Sequence, residues 1–193
     1  MQHYNDLYQH VKIISDEYNH AVNLGLVERI GDDRKTKIKN NFIGLTEPAD
    51  SSLLRQLSES LHEKIGSLNE TVVVGMYKSG IVVATSMGMV RQSRFAWTTP
   101  DKINQPSIVF SEDHRSGTRH YLYGLKHSDK VLLIEDEVTS GKGLSGLALR
   151  LHRSGIQIVG IACYLETINF SGREYIKQKT GFDLVSLIRV ELS

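Results

Sequence analysis

Apolar positions along the chain switch between two periods, and the switch points outline its elements. Leu7, Val11, Ile14, Tyr18 and Val22 recur at steps of three and four, which predicts one amphipathic helix ending near Leu24-Gly25-Leu26, a cover or dimer element. From Asp32 to Lys39 the chain is strongly charged and reads as a solvated loop, with Arg34, Lys35 and Lys37 able to touch a phosphate. Asn40-Asn41-Phe42-Ile43-Gly44-Leu45 reads as a short apolar strand before a turn at Pro48. Asp50, Ser51 or Ser52 caps a helix whose apolar positions include Leu53, Leu54, Leu57, Leu61 and Ile65.

Beyond that helix the pattern alternates between strands and helices. Thr71-Val72-Val73-Val74-Gly75 is a buried strand by its β-branched run, and it opens into the loop Met76-Tyr77-Lys78-Ser79-Gly80 before Ile81, Val82, Val83 and Ala84 resume. Arg94 to Thr98 and Ser107 to Phe110 read as short strands. Ser111 to Gly124 is a polar stretch with no period suited to a core element. Val131-Leu132-Leu133-Ile134 is a buried strand that runs into Glu135, Asp136 and Glu137, a Thr139-Ser140-Gly141 turn, and a helix carrying Leu144, Leu147, Ala148 and Leu151. Ile156 to Leu165 is a long buried strand, Ser171 to Thr180 a helix, and Gly181 to Ile188 a last strand. This alternation predicts an α/β fold: a mostly parallel twisted sheet with helices on both faces and ligand sites at the carboxyl ends of the strands. The 193 residues are read as a single domain, with an N-terminal helix and hood segment over 1–48 and the α/β core over 49–193.

Composition narrows the function classes. With 23 basic against 22 acidic residues there is no electrostatic footprint for general nucleic-acid or anionic-membrane binding. No apolar run reaches membrane-spanning length and the first residues are too polar for a signal peptide, so a cytoplasmic location is expected. The single cysteine, Cys163, lies in an apolar strand and is expected to be a buried, inert thiol.

The chemistry concentrates between Val131 and Gly143. A turn of small residues exposes successive backbone N–H groups, and the helix beginning near Gly141 adds its positive dipole end, so the loop suits a phosphate. The acids just upstream can reach hydroxyls or a phosphate-bound metal. Acidic side chains crowded at one strand end repel one another and need a reason to sit together.

This arrangement resembles the 5-phosphoribosyl-1-pyrophosphate (PRPP) motif of the type I phosphoribosyltransferases, and the order of elements over residues 30–190 is most similar to orotate phosphoribosyltransferases. The resemblance implies transfer of 5-phosphoribosyl from PRPP to a nitrogenous base, with Mg2+ and release of pyrophosphate. It implies that Thr139, Ser140, Gly141, Lys142 and Gly143 bind the 5-phosphate, while Glu135 and Asp136 hold the ribose hydroxyls and, through them, the Mg2+. The loop Tyr77-Lys78-Ser79-Gly80 takes the place of the pyrophosphate loop, although a serine separates its lysine from the glycine where the orotate enzymes have Tyr-Lys-Gly. The polar stretch takes the place of the mobile loop, with Arg115, Arg119 and His114 as its catalytic cations and His120 as a further one. A metal site from Glu112, His114 and His120 is a minor alternative.

In orotate enzymes the strand after the PRPP helix ends in an Asp-Arg pair whose arginine forks onto the orotate carboxylate. Here it ends Leu165-Glu166-Thr167, so the acceptor is expected not to be orotate but a small neutral heterocycle held by Thr167 and the backbone around Phe42. Arg173 is the rival source of the missing charge. The family implies a homodimer. Two other classes fit the same residues: a catalytically weak regulator that senses PRPP or a nucleotide, and a plain nucleotide-binding doubly wound domain.

Overall fold

A computed structural model describes residues 10–15, 18, 21–28, 36–111 and 119–193. In chain order its elements are β1 (Val11–Ile13), β2 (Leu24–Glu28), β3 (Thr36–Asn40), α1 (Ser51–Ile65), β4 (Val72–Gly75), α2 (Gly80–Val90), β5 (Arg94–Trp97), β6 (Ser107–Ser111) and β7 (Arg119–Tyr123). They continue with β8 (Lys130–Val138), α3 (Lys142–Arg153), β9 (Gln157–Thr167), α4 (Gly172–Thr180) and β10 (Leu184–Leu192).

The six-stranded sheet has the order β1-β10-β9-β8-β4-β5, and β2-β3 and β6-β7 form two separate hairpins. All pairings from β10 through β5 are parallel; only β1 runs antiparallel, on the outer edge of β10. Residues alternate across the sheet. Val73, Leu132, Ile134, Ala162 and Tyr164 bury against Leu57 and Leu61 of α1 and Val83 and Met87 of α2. Val72, Val74, Val131, Leu133, Ile161 and Cys163 bury on the other face against Leu144, Leu147 and Leu151 of α3 and Ile176 of α4. Strands covered on both faces read as continuous apolar runs, and this is why β4, β8 and β9 were legible without alternation. Cys163 is buried, and burial pushes its thiol well up from its ordinary value. No helix among the described residues is long and apolar enough to cross a membrane.

Four expectations fail. The period of Leu7 to Val22 predicts a helix, yet Val11–Ile13 is a strand whose residues pair with Leu192, Glu191 and Val190. The exposed edge of β10 offers unpaired ladder groups, and a short β-branched segment satisfies them better than an isolated turn of helix would. The charged run does not remain a loop to Lys39: Thr36–Asn40 forms β3 opposite β2, with Ile38 buried between lysines. The expected strand from Asn40 to Leu45 gives way to bends directly after Asn40, the last residue of β3, because the Asn40 side-chain oxygen accepts from the N–H groups of Phe42 and Ile43 at 3.2 and 2.9 Å and turns the chain. The polar stretch is likewise not all loop. Arg119–Tyr123 is β7, and its His120, Tyr121 and Leu122 are buried.

The β2-β3 hairpin and the turn after it are pinned to the core by aromatic packing. Phe42 stacks on Tyr164 of β9 at 6.0 Å between ring centroids. The Tyr164 hydroxyl meets Ser58 of α1 at 2.6 Å, and Ser58 meets Ser86 of α2 at 2.6 Å. Tyr164→Phe breaks this buried chain and leaves hydroxyls underpaired. The expected cost is about 1–2 kcal/mol, a fall in Tm of roughly 2–8 °C, read by thermal unfolding.

Candidate functional site

The order β5-β4-β8-β9 reverses direction between β4 and β8, because the chain leaves β4 outward to β5 and returns to add β8 on the other side. Crossovers therefore diverge at this point and leave a crevice above the strand ends. Gly75 at the end of β4 pairs with Ile134 of β8, so Met76 to Gly80 and Glu135 to Gly143 leave the sheet side by side.

The first loop folds back on its strand. A Cβ on Gly75 would stand 2.0 Å from the Gly80 carbonyl oxygen, so only glycine lets α2 begin this close to β4. Thr98, fully buried beyond β5, accepts from the Tyr77 N–H at 3.0 Å through its hydroxyl and donates its own N–H to the Gly75 carbonyl at 3.1 Å. Ser79 is buried at the N-terminus of α2, while Lys78 is exposed and turns its ammonium over the Tyr77 ring at 5.7 Å. The Tyr77 ring in turn faces His120 of β7 at 6.4 Å.

The second loop differs from expectation in one respect: β8 continues through the acids to Val138, so Glu135, Asp136 and Glu137 sit on rigid strand rather than in a turn. The Glu135 carboxylate accepts from the Asp136 N–H at 3.2 Å, and its Oε1 would lie 3.0 Å from a Cβ on Gly80. Burial first, and the neighbouring negative charge of Asp136 second, push the Glu135 carboxyl well above its ordinary value. Past Val138, Thr139 and Ser140 lead to Gly141, which caps α3 in the left-handed region at φ 68°. This cap residue is a glycine with no side chain to bond them, so among the described residues the first N–H groups of α3 have no cap side chain and suit an anion. The loop is held from behind by α4, where a Cβ on Gly172 would meet the Thr139 carbonyl oxygen at 1.9 Å. Lys142 is exposed and Gly143 half-buried in the first turn.

Joining the two loops is a residue that entered the sequence analysis only as one cation of a charged run. Lys37 of β3 places its ammonium 3.1 Å from the Ser79 hydroxyl and 3.4 Å from Asp136 Oδ2. The signal that would have found it is the alternation of Thr36 to Asn40, in which one buried Ile38 fixes a strand and aims its neighbours. Among the described residues no group of three or more His, Cys, Asp or Glu side chains is set to hold a metal by itself. The acid pair nevertheless fits Mg2+: it offers oxygen donors alone, it already accommodates a cation in the Lys37 ammonium, and such an ion takes its remaining ligands from substrate and water.

The residues expected to hold the acceptor do not present themselves to the crevice. Thr167 is fully buried, and its hydroxyl donates to Glu137 at 2.9 Å. Phe42 is fully buried in the stack with Tyr164, and the N–H groups of Phe42 and Ile43 are taken by Asn40. Arg173 is committed as well. It grips Glu166 through Nε at 2.9 Å and Nη2 at 2.5 Å, and reaches the Leu184 carbonyl and the Ser186 hydroxyl. It therefore does not supply the charge that Thr167 lacks. Arg119 is exposed at the start of β7, and His120 is buried between Phe110 and Tyr77, with Nδ1 unpartnered. His114 and Arg115 lie outside the described residues, as does Glu112, so the metal alternative is left with His120 alone among them.

No protein-family model matches the chain. Among curated proteins it is similar to the hypoxanthine/guanine phosphoribosyltransferase of Methanothermococcus okinawensis, 27% identical over 145 residues, 74% of this chain and 78% of that protein. The enzyme of the same name from Methanocaldococcus infernus is 26% identical over 152 residues, covering 78% and 80%. Among solved structures, adenine phosphoribosyltransferase from Rhodothermus marinus superposes with a TM-score of 0.70 at 18% identity, covering 86% of this chain and 93% of that one. Adenine phosphoribosyltransferase from Trypanosoma brucei, in complex with AMP, pyrophosphate and ribose-5-phosphate, gives 0.67 at 15% identity, covering 86% and 76%. The mixed α/β fold with a mostly parallel central sheet is thus that of these transferases. The relatives support the type I phosphoribosyltransferase resemblance but not its refinement toward the orotate enzymes.

The Glu166 cluster makes a prediction about stability. Burial alone would raise its carboxyl, but hydrogen bonds from Arg173 and Ser186, with the charges of Arg173 and Arg189, outweigh burial and hold it below the ordinary range. A carboxyl depressed in the folded state stabilises above its unfolded value and loses that contribution as pH falls through the folded one. Arg173→Met should cost roughly 3–5 kcal/mol near neutral pH, since it strands a buried charge. In Glu166→Gln the decline of stability between about pH 5 and pH 3 should be shallower than in the parent, measured by urea unfolding.

Proposed function

We propose that the chain is a type I phosphoribosyltransferase that transfers 5-phosphoribosyl from PRPP to a purine base. The observation that carries the reading is the pairing of an uncapped helix N-terminus at Gly141 with an acid pair on β8, set beside a glycine-closed loop at Gly75 to Gly80. An anion-binding turn, hydroxyl-binding acids and a second backbone-lined loop within one crevice match the three parts of PRPP. The relatives named for hypoxanthine and guanine, and the fold neighbours named for adenine, support a purine as acceptor. Arg173, engaged by Glu166, leaves no fork for the orotate carboxylate.

In this reading Thr139 to Gly143 bind the 5-phosphate through backbone N–H groups and the dipole end of α3. Asp136 and Glu135 orient the ribose hydroxyls and oppose the positive charge that develops at C1. The loop Tyr77 to Gly80 receives the pyrophosphate, and Arg115, Arg119 and His114 are assigned to its charge as it departs. A purine ring nitrogen forms the new bond to C1 while the C1–O bond to pyrophosphate breaks, the pyrophosphate taking the bonding electrons and the purine giving its N–H proton to solvent. Mg2+, which Asp136 and Glu135 would hold, would supply positive charge against the leaving group. The protein's own contribution is positioning and electrostatics on rigid strand ends, which need no reorganisation during the reaction.

The reading includes a homodimer, which the exposed Met89, Phe95 and Trp97 around the free edge of β5 support; these are 72%, 40% and 41% exposed. Sedimentation should give twice the chain mass, and Phe95→Glu with Trp97→Glu should shift it to a monomer.

Pyrophosphate release tests the activity. With PRPP and Mg2+, at least one of hypoxanthine, guanine and adenine should react on the order of a hundredfold faster than orotate, the scale set by a lost charge-assisted fork. Asp136→Asn should lower turnover about a hundredfold, or roughly 3 kcal/mol, with unfolding unchanged in cooperativity. Equal rates for orotate and the purines would remove the acceptor assignment, and a normal rate in Asp136→Asn would remove the role of the acid pair.

A further inference from the structure

The Lys37 ammonium lies between the two halves of the crevice, on Ser79 of one loop and Asp136 of the other, and its side chain is only 19% exposed. It is carried by β3, whose Ile38 is buried in the core and whose backbone is paired along its length with β2. The cation is therefore delivered by a fixed strand and not by a wandering surface side chain. We propose that Lys37 is a tethered counter-ion that occupies Asp136 in the free protein and so keeps a divalent metal from binding until substrate arrives with it.

The inference rests on the PRPP reading for the identity of the substrate, but the exclusion itself follows from the contacts. In the free site the Asp136 carboxylate already has a cation at 3.4 Å, and a divalent ion seeking the same oxygen must displace an ammonium and then endure its charge nearby. Ser79 fixes the ammonium from the far side, so it cannot simply swing to solvent without losing a second hydrogen bond. A pyrophosphate group entering over Ser79 changes both terms. Its oxygens accept the ammonium in place of Asp136, and the carboxylate released in the same event faces the metal that the substrate carries. Metal and substrate then bind with positive coupling, each raising the affinity for the other by the same factor. A lysine suits the part because a single mobile ammonium can pass between acceptors a few ångströms apart, which a planar guanidinium does less readily.

The test titrates the folded full-length chain with Mn2+ and follows free Mn2+ by electron paramagnetic resonance, first without and then with PRPP. The parent should bind Mn2+ weakly alone and more tightly with PRPP. Lys37→Met should bind Mn2+ alone about tenfold more tightly than the parent, equivalent to about 1.4 kcal/mol, with the PRPP-dependent gain reduced by a similar factor. Ser79→Ala, which removes only the second tether, should fall between the two, and Lys37→Arg should stay near the parent. Lys37→Gln replaces Lys37→Met if circular dichroism shows that the latter does not fold. An unchanged Mn2+ affinity in the folded, substrate-free Lys37 variant overturns the proposal. Failure of the parent to bind PRPP would instead remove the functional reading, and the substrate-free Mn2+ comparison would still decide the role of Lys37.

Discussion

The parallel pairing of β4 with β8 is the constraint on which the rest of the site depends. Strands joined in register, with Gly75 opposite Ile134, can only release their following loops side by side, and the reversal of strand order at this pair removes the crossover that would otherwise cover them. The two glycine contacts then decide how near each loop stays to the sheet. Gly75 admits the carbonyl of Gly80, and Gly172 admits the carbonyl of Thr139, so each loop is pressed against backbone on one side and left open on the other. Both loops thus leave a sheet held together by apolar burial at one edge, next to the acids of β8.

Charge in the crevice is balanced by elements far apart in sequence. Two adjacent acids on β8 would repel each other if left alone, and Glu135 responds with a raised carboxyl value while Asp136 takes the ammonium of Lys37. A different arrangement governs the neighbouring strand end, where Glu166 is enclosed by Arg173, Arg189 and Ser186. The first set is poised to exchange partners. The second is saturated by hydrogen bonds, so it contributes to folding and leaves the arginine unavailable to a ligand. Acidic residues of similar burial thus serve different ends according to whether their partners are tethered singly or as a closed network.

Much of this was legible because the central strands are buried on both faces. Runs such as Val72 to Val74 and Val131 to Ile134 are short and rich in β-branched residues, which favours a buried strand over a buried helix, and the acids, small-residue turn and apolar helix after Ile134 stand in one unbroken register. The capping of α1 by Asp50 could be read for the same local reason, since the side chain bonds the N–H groups of Ser52 and Leu53. The errors fell where local period and tertiary demand diverge. Val11 to Ile13 follows a helical period but completes the ladder of β10, and Arg119 to Tyr123 has a polar composition but buries His120, Tyr121 and Leu122 against the core.

The sequence by itself determined the α/β class, the order of the buried strands and the place of the small-residue turn before α3, because each follows from short-range period, capping and turn chemistry. Only the tertiary structure decided which polar groups meet. Lys37 and Asp136 are 99 residues apart, and Lys37 and Ser79 are 42 apart, so no window of sequence contains either contact. Likewise Thr167 looks available as a hydroxyl at a strand end, and Arg173 as a free cation nearby. Their engagement by Glu137 and Glu166 depends on β8, β9, α4 and β10 closing over one another. Side-chain availability is a property of packing, and packing is settled by long-range burial that a local pattern does not encode.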